Sequence, residues 1–470
     1  IEYNIKDVEL VDRIDRKKKL ISLVITLAYS SKVNFEDVFM DSVPWDCMIS
    51  SYAEQVSRVQ VPAYNAIESK GKIVGGYVKP PITGKHKWIV SFDLTSLYPS
   101  LIMQYNISPE KLIGQPIELW EDDVLAMNDT YRRAYENAKE LNATMACNGA
   151  LFQTDERGIL PALMDKFFAL RKDAKNEMKK WAAESERLAA LGEDTSHADD
   201  MVATFDTEQM ARKVALNSAY GSISSRWFRL YSTVQGMAIT TSGRAGVQWA
   251  AKHLNEYVSG LMGDDKDRIV AIDTDSCLLA MDDIVDRFCE SNDDTKIVDF
   301  IDNVCKGKLH DVIDNSYAEF AKNTLAYRNT MDMKREVIGP GIFIRKKRYI
   351  IKVYDNEGVR YAEPQYKMMG IEAIRSTTPE FCKEHIRECI RLFFDADEPT
   401  MVEYIGKVYD SFLQQTPGTI ASTTGVHDIE KYLDKQTRMP VSGCPYHVKA
   451  AIAHNNLLNK NGLTGKYEAI

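Results

Sequence analysis

Residues 269 to 281, IVAIDTDSCLLAM, form an apolar run that carries two carboxylates, Asp273 and Asp275. The run has the length and composition of a buried strand, in which alternate residues project to the same face. This alternation predicts that both carboxylates point the same way. Two neighbouring acids in apolar surroundings take up protons unless a cation lies between them. The stretch therefore indicates a cation site, and the alternative is a solvated hairpin tip.

A hard divalent cation such as Mg²⁺ suits this acid pair, because it binds oxygen ligands and needs few carboxylates when substrate phosphates supply the rest. An EF-hand loop is excluded, since Leu278 and Ile284 stand where that loop needs Gly and Glu. Short acidic motifs also arise by chance, so the hypothesis requires further acids elsewhere in the chain.

The bulk composition is that of an ordinary globular protein, with 470 residues of which 44% are hydrophobic and 27% charged, and this length predicts two to four subdomains. The net charge of −9 disfavours nucleic acid only on average, because RKDAK (171–175) and IRKKRY (344–349) are local basic clusters. The eight scattered cysteines and the lack of an apolar run of about 18 residues predict a cytoplasmic protein with reduced thiols and no membrane span. Because the chain begins with Ile, we expect it to be a fragment.

Strand and helix patterns place the remaining polar motifs. GKIVGGYVKPP (71–81) indicates a close backbone approach or an edge strand, and WIVSFDL (88–94) a strand that turns directly into a helix. One long helix is predicted from about Pro161 to Leu191, followed by the polar turn GEDTSHADD (192–200) and a second helix from about Thr207 to Tyr220. These two helices would form an antiparallel hairpin that can swing.

Asp93 ends the strand WIVSFDL. If that strand lies beside the pair Asp273 and Asp275, three acids converge, and carboxylates that bridge two metals are the usual device for displacement at phosphorus. The backbone amides of Ser96 and Leu97 open a helix and would suit phosphate oxygens. Tyr98 stands where it could wall a sugar pocket.

Polar residues on the predicted helix pair fall in register. Arg171 and Lys175 are four apart on the first helix, and Lys213, Asn217 and Tyr220 share a face of the second. Such a face binds anions, and a triphosphate is the anion that pairs with two metals. The alternative is a solvated charged face, which is harder to accept for the second helix because its surface is otherwise small and apolar.

The ordered motifs DLTSLYPS (93–100), KVALNSAYGS (213–222), DTDS (273–276) and KKRY (346–349) resemble those of family B DNA polymerases. The resemblance covers nearly the whole chain. The sequence around the motifs is most similar to that of the replicative polymerases of T-even-like bacteriophages, as in NISPE (106–110), WFRLY (227–231) and MGIEAIRSTTP (369–379).

This resemblance implies an α+β right-hand polymerase with a mixed-sheet palm, helical-hairpin fingers and a partly helical thumb. The implied boundaries are 1–71 for the end of an exonuclease region and connecting helices, 72–150 and 223–378 for the palm, 151–222 for the fingers, and 379–470 for a truncated thumb. The implied partners are primer-template DNA and deoxynucleoside triphosphates, with two Mg²⁺ ions for which Mn²⁺ can substitute. If the protein is viral, the location is the host cell cytoplasm.

The resemblance also implies residue roles. Asp93 and Asp275 would bind both metals, with the Leu94 carbonyl as a further ligand and Asp273 nearby. Tyr98 would exclude a ribose 2′-hydroxyl, while the nucleotide would contact Ser96, Leu97, Arg171, Lys175, Lys213 and Asn217. DNA contacts would come from Tyr220, Gly221, Lys346, Lys347, Arg348 and Tyr349, although Tyr349 could simply pack in its strand.

Two departures from the family pattern matter. In MKREVIG (333–339), Lys334 stands where related phage enzymes carry an acid, so Glu336 is a doubtful third palm carboxylate. YNIKD (3–7) resembles the last exonuclease motif, with Tyr3 and Asp7 one helical turn apart. The acids that complete an exonuclease site would lie upstream, so we expect no proofreading from this chain alone. Missing regions could also carry contacts to a sliding clamp or other replisome proteins.

The sequence thus predicts template-directed DNA synthesis, in which a primer 3′-hydroxyl attacks an incoming deoxynucleotide and releases pyrophosphate. Two alternatives stay open: a non-catalytic nucleic-acid-binding relic, and an enzyme that makes RNA or copies an RNA template. The intact acids Asp93, Asp273 and Asp275 disfavour a relic, and Tyr98 disfavours RNA synthesis.

Overall fold

The computed structural model describes residues 2–40, 42–63, 72–421, 424–434 and 436–463. The chain divides into two units, of which the first comprises Ile1–Lys347 and Ile351–Lys367 and the second Arg348–Ile350 and Met368–Ile470. Within the described ranges, none of the helices combines the length and apolar character needed to cross a membrane.

Helices make up most of the chain and strands form two sheets, as expected for an α+β protein. The helices are α1 (Glu2–Lys18), α2 (Leu20–Ser31), α3 (Val43–Tyr52), α4 (Leu97–Gln104), α5 (Glu121–Ala126), α6 (Asp129–Glu140), α7 (Ile159–Leu191), α8 (Ser196–Ile223), α9 (Thr233–Met262), α10 (Asp282–Phe288), α11 (Asp294–Val304), α12 (His310–Asn323), α13 (Glu380–Asp395), α14 (Glu398–Leu413), α15 (Pro417–Ile420) and α16 (Tyr446–Lys460). The strands are β1 (Gly84–Leu94), β2 (Leu112–Gly114), β3 (Ala143–Met145), β4 (Leu151–Gln153), β5 (Ile269–Asp273), β6 (Ser276–Ala280), β7 (Met333–Arg345), β8 (Arg348–Asn356) and β9 (Val359–Met369).

The larger sheet has the strand order β5-β6-β1-β7-β8-β9, and a small sheet has the order β2-β4-β3. β1 pairs with β6 on one side and β7 on the other, and both pairings are antiparallel, as is β5 with β6. None of these three pairings is the parallel pairing that the expected mixed sheet would contain. Ile89, Val90 and Phe92 of β1 are fully buried, which puts this strand in the core of the first unit.

The long helical hairpin is present, with one boundary that differs from its prediction. α7 begins at Ile159 with Pro161 in its first turn and ends at Gly192, whose positive φ of 70° closes the helix. α8 begins at Ser196, well before the predicted Thr207, because part of the polar segment 192–200 is helical. Asp199 in that first turn accepts hydrogen bonds from the Ser185 and Thr195 hydroxyls, so polar residues stabilise the helix start.

The second unit has its own small core. Ile429 and Leu433 pack with Cys444, and with Val448 and Ile452 of α16. α13 and α14 pack against each other elsewhere in this unit. This part of the chain is mostly helical with loops.

Candidate active site

A cleft of about 1200 Å³ opens in the first unit, and the carboxyl end of β1 forms its floor together with β7 and the turn between β5 and β6. Helices α7 and α8 supply the facing wall. Most of the residues predicted to bind metal or nucleotide line this cleft: Asp93, Leu94, Ser96, Leu97, Tyr98, Arg171, Lys175, Lys213, Asn217, Tyr220, Gly221, Asp275 and Glu336. The fold therefore brings together motifs that lie far apart in the sequence.

The floor places two carboxylates side by side. Asp93 pairs in register with Ser276, the residue after Asp275, and the Leu94 amide donates to the Asp275 carbonyl at 2.9 Å. Asp93 is the one partly exposed position among the buried residues that end β1. Asp93 and Asp275 thus line the same cleft, as expected if the strand that ends in Asp93 lies beside the segment that carries Asp275.

The prediction that Asp273 and Asp275 share one face of one strand is wrong. β5 ends at Asp273 and β6 begins at Ser276, with Thr274 at a positive φ of 64° in the turn between them. The turn separates the two side chains: Asp275 lines the cleft, while the Asp273 carboxylate lies 3.2 Å from the Lys347 ammonium. The hairpin alternative describes this stretch better, although Asp275 is only partly exposed.

Burial and neighbouring acids raise the pKa values of both floor acids. Burial, followed by the negative charges of Asp275 and Glu336, raises the pKa of Asp93 to about 7. The pKa of Asp275 is also raised, first by burial and then by Asp273 and Glu336. Burial and the neighbouring acids outweigh the charges of Lys367 and Lys347, which act in the opposite direction, so a bound cation would stabilise the ionised floor.

The facing wall has the opposite deficit. Burial lowers the pKa of Arg171, and burial followed by the charge of Arg171 lowers that of Lys175. The Arg171 Nε is buried without a hydrogen-bond partner among the described residues, while its terminal nitrogen donates to the Ser96 hydroxyl at 3.4 Å. Among the residues that the structure describes, neither Lys175 nor Lys213 has an ion-pair partner. A bound anion would satisfy this wall.

Aromatic rings and a helix start connect floor and wall. The ring of Tyr98 lies against that of Tyr220, with centroids 4.5 Å apart and an angle of 43°. Burial raises the pKa of Tyr98 to about 12, so its hydroxyl stays neutral. Ser96 adopts a left-handed conformation directly before α4, and the first amides of a helix have no partners within it. Those amides are available to an anion in the cleft.

Glu336 lies in the cleft but already has a cation. The Lys367 ammonium donates to both Glu336 carboxylate oxygens at 2.7 Å, and the Ser91 hydroxyl donates to one of them at 3.2 Å. This occupied carboxylate agrees with the doubt that the sequence raised about a third palm acid.

Tyr220 and Gly221 are the predicted DNA-contact residues that line the cleft. The other predicted DNA contacts and the exonuclease residues lie outside its lining. Lys346 and Lys347 are exposed in the turn after β7, whereas Tyr349 in β8 is only 6% exposed, as the packing alternative expected. The Arg348 guanidinium forms an ion pair with Glu372 within the second unit. Tyr3 and Asp7 are exposed one turn apart on α1.

The sequence did not reveal several cleft residues. Lys306 and His310 come from a π-helical turn, Cys305–Leu309, and its junction with α12. Such turns are frequent at functional sites but have no clear sequence signature. Glu357 lies in the turn between β8 and β9, where its amide donates to the Glu336 carbonyl at 2.7 Å. DNEG (355–358) is rich in turn-forming residues, but nothing in it indicates a position beside the acids.

The floor fits a divalent cation only with help from a substrate. In the described ranges, no three His, Cys, Asp or Glu side chains are grouped closely enough to hold a metal ion. Asp93 and Asp275 provide two carboxylates, and Leu94 beside them lines the same cleft. Mg²⁺ commonly takes one or two carboxylates and completes its shell with water and substrate phosphates. The two carboxylates fit a Mg²⁺ site of this kind, which substrate phosphates and water complete.

Comparisons with known proteins identify a family and several relatives of this chain. A family model described as DNA polymerase family B matches residues 23–286. The DNA-directed DNA polymerase of Escherichia phage RB69 is 30% identical, in an alignment that covers 98% of this chain and 55% of that protein. The corresponding enzyme of Enterobacteria phage T4 is also 30% identical, over 98% of this chain and 56% of its own length. DNA polymerase 1 of Aeropyrum pernix is 25% identical, over 99% of this chain and 42% of its own length. The chain therefore spans little more than half the length of its phage relatives.

Proposed function

The chain belongs to DNA polymerase family B, and from this premise we propose that it carries out template-directed DNA synthesis. The reaction joins the 3′-hydroxyl of a primer to the α-phosphorus of a deoxynucleoside triphosphate and releases pyrophosphate. The observation that carries the proposal is the pair of opposite charge deficits across one cleft. The acids of the floor would be stabilised by a bound cation, and the bases of α7 and α8 opposite them by a bound anion. A metal-bound triphosphate supplies both the cation and the anion.

The proposed parts follow the boundaries that the sequence indicated. Residues 72–150 and 223–378 would form the palm, residues 151–222 the fingers and residues 379–470 the thumb. Residues 1–71 would then be the end of an exonuclease region with its connecting helices. The sheet with Asp93 and Asp275 supports the palm assignment, and the hairpin of α7 and α8 supports the fingers assignment.

On this proposal, the chain contributes positioning and charge, which supply most of the rate in phosphoryl-type transfers. Arg171, Lys175 and Lys213 bind the triphosphate together with Asn217, and the amides at the start of α4 donate hydrogen bonds to its oxygens. Tyr98 packs under the sugar and excludes a 2′-hydroxyl. Tyr220 and Gly221 line the nascent base pair, while Lys346, Lys347 and Arg348 follow the primer-template duplex. Burial of Tyr349 favours a packing role for that side chain.

Asp93 and Asp275 would bind two Mg²⁺ ions, or Mn²⁺ in their place, together with the Leu94 carbonyl and substrate oxygens. When bound, these ions lower the charge repulsion between the primer hydroxyl and the phosphates. Asp273 is proposed as a supporting acid, which contacts Lys347 and holds the turn next to Asp275. As a phage-type enzyme it would act in the host cell cytoplasm, and a sliding clamp or other replisome proteins are proposed partners of the complete enzyme.

A primer-extension assay with deoxy- and ribonucleotides on DNA and RNA templates tests the function. We expect extension by the wild type with deoxynucleotides on a DNA template. We expect none from Asp93→Ala or Asp275→Ala, because each removes half of the acid pair. Duplex binding, measured by fluorescence anisotropy, should stay close to the wild type in both variants.

Three results would count against the proposal. Synthesis by either alanine variant would remove the assigned role of the acid pair. Duplex binding without extension by the wild type would favour the relic, and efficient use of ribonucleotides or an RNA template would favour an RNA-synthesising or reverse-transcribing enzyme. Asp286→Ala is a matched control, because Asp286 is an exposed acid of α10 that pairs with Lys87, towards the opposite end of β1 from Asp93. This variant should extend normally.

A further inference from the structure

The floor of the cleft contains an unexpected cation. β7 runs alongside β1, and Lys334 is the register partner of Asp93. Residues directly opposite each other in an antiparallel pair share a face, with Cβ atoms about 5 Å apart. Lys334 and Asp93 accordingly line the same cleft. The chain therefore carries a lysine, Lys334, next to the Asp93 carboxylate that a divalent cation would need.

Among the lysines near the floor acids, Lys367 and Lys334 differ in how firmly they are bound. Lys367 is fixed by both oxygens of Glu336. Lys334 contacts Asp332 at 2.9 Å, but both side chains are exposed, at 67% and 42%. Exposed ion pairs contribute little free energy, and the lysine stem has four flexible carbons. The Lys334 ammonium is thus free to leave Asp332 and move over the floor of the cleft.

We propose that Lys334 is a resident cation of the acid floor, which weakens binding of divalent cations to Asp93 and Asp275 until a nucleotide arrives. The inference rests on the proposed function. An attached positive charge repels a second cation and lowers its affinity for the acid pair. The phosphates of an incoming triphosphate add negative charge and donor oxygens, so nucleotide and metal would load together. Lys334 is a positioning and tuning residue in this scheme and makes no bond to the reacting atoms.

Binding of Mn²⁺ to the full chain, without DNA or nucleotide, tests the proposal directly. Electron paramagnetic resonance of the free ion gives a dissociation constant that does not depend on activity. We expect Lys334→Met to tighten Mn²⁺ binding by on the order of tenfold, because it removes a unit charge close to the site. Lys334→Asp should tighten it further, while Lys334→Arg, which keeps the charge, should match the wild type.

Lys306→Met is the matched control. Lys306 lines the same cleft, is 66% exposed and lies 2.8 Å from Asp302, so it matches Lys334 in charge, exposure and location in the cleft. It differs in lying in the π-helical turn and in pairing with a buried acid. We expect its Mn²⁺ dissociation constant to stay within about twofold of the wild type, because it has no register partner in the acid pair. Adding Asp93→Ala to Lys334→Met should abolish the gain in affinity. Melting curves of every variant establish that it is folded.

Several outcomes would overturn the inference. It fails if Lys334→Met and Lys334→Asp bind Mn²⁺ no more tightly than the wild type, if Lys306→Met gains as much, or if the gain survives Asp93→Ala. Primer extension by the wild type separates this failure from failure of the proposed function. If the wild type extends primers while Lys334 has no effect on Mn²⁺, the polymerase proposal stands alone. If Lys334 controls Mn²⁺ affinity in a chain that cannot extend, only the tuned cation site stands.

Discussion

Tyr98 is the single side chain with the sharpest expected effect on substrate choice. Its ring packs against Tyr220 and borders the cleft beside the start of α4. Tyr98→Ala should remove the bulk that excludes a 2′-hydroxyl and reduce discrimination against ribonucleotides by roughly a hundredfold. Single-nucleotide incorporation with matched deoxy- and ribonucleotides measures this ratio. Tyr98→Phe keeps the ring and should keep the discrimination. If Tyr98→Ala still rejects ribonucleotides, another residue excludes them.

Asp93 should make stability depend on pH. Its pKa is raised from 3.8 to about 7 in the folded chain, so folding retains a proton that the unfolded chain loses earlier. Because the pKa of this carboxyl is raised in the folded chain, its contribution to the free energy of unfolding is fully present below about pH 4. That contribution is lost as the pH rises to about 7. Asp93→Asn removes this loss. Its melting temperature, in buffer with a chelator, should exceed that of the wild type by roughly 2 °C or more at pH 8 but not at pH 4.

The control for this pH effect is Asp286→Asn, in which the altered acid is exposed and paired with Lys87. Its difference from the wild type should not grow between pH 4 and pH 8. A melting temperature of Asp93→Asn that stays parallel to the wild type across this range would show that the ionised acid pair does not destabilise the fold.

The sequence could identify most single side chains of the cleft, because acids and bases in otherwise apolar segments are costly and therefore informative. Asp93, Lys213 and Asn217 are examples. It could not separate Asp273 from Asp275. Thr274 is β-branched, which favours a strand and disfavours the positive φ that it adopts, so the local sequence favoured a strand over the hairpin alternative.

Among strands and loops, the segment before β1 has a structural role that its glycines indicated. The Thr274 amide donates to the Tyr77 carbonyl at 2.8 Å, and the Lys79 amide donates to the Ile272 carbonyl at 3.0 Å. A side chain on Gly76 would put its Cβ 2.6 Å from the Thr274 methyl group. The close backbone approach expected from GKIVGGYVKPP therefore occurs here, and it supports the turn that carries Asp275.

Gly76→Ala should displace this turn and thereby move Asp275 away from Asp93. Because displacements of about 1 Å at a reacting centre are costly, extension should slow roughly tenfold to a hundredfold. The neighbouring Gly75 is an ideal control, since its Cβ would have no atom within 4 Å. Gly75→Ala should extend at the wild-type rate in single-turnover assays. Equal rates for both variants would show that the turn tolerates the shift.

Helices were predicted well where periodicity and end signals agreed, as for α7, which starts within two residues of the expected Pro161. α8 was predicted too short because GEDTSHADD is rich in residues that favour turns. In the structure, Thr195 and Ser185 bind Asp199 and offset that local preference. The π-helical turn that carries Lys306 depends on how α11 and α12 pack, which no local pattern encodes.

Across the chain as a whole, the net charge of −9 conceals a local basic site. Lys346 is exposed in the turn after β7, and we propose that it contacts a DNA phosphate. Lys346→Ala should weaken duplex binding for every sequence and reduce the slope of log affinity against log salt by about 0.9. Anisotropy titrations at several salt concentrations measure this slope.

Lys87→Ala provides the comparison, because Lys87 is exposed on the same sheet but lies towards the opposite end of β1 from Asp93. It removes an equal charge and should leave the slope unchanged. A lowered slope in both variants would mean that overall charge, and not the turn after β7, governs binding.

The position of β1 between β6 and β7 has a consequence for biosynthesis. A chain still on the ribosome cannot complete either edge of β1 until Ser276 and then Met333 have been translated. Until then the apolar run that ends in Asp93 must stay soluble without its neighbours. Long-range pairings of this kind form slowly, and until they form the unpaired apolar strands are exposed and prone to aggregation. Translation arrested before Ser276 should therefore yield nascent chains that depend on chaperones, and assembly of the acid pair should be a late event in folding.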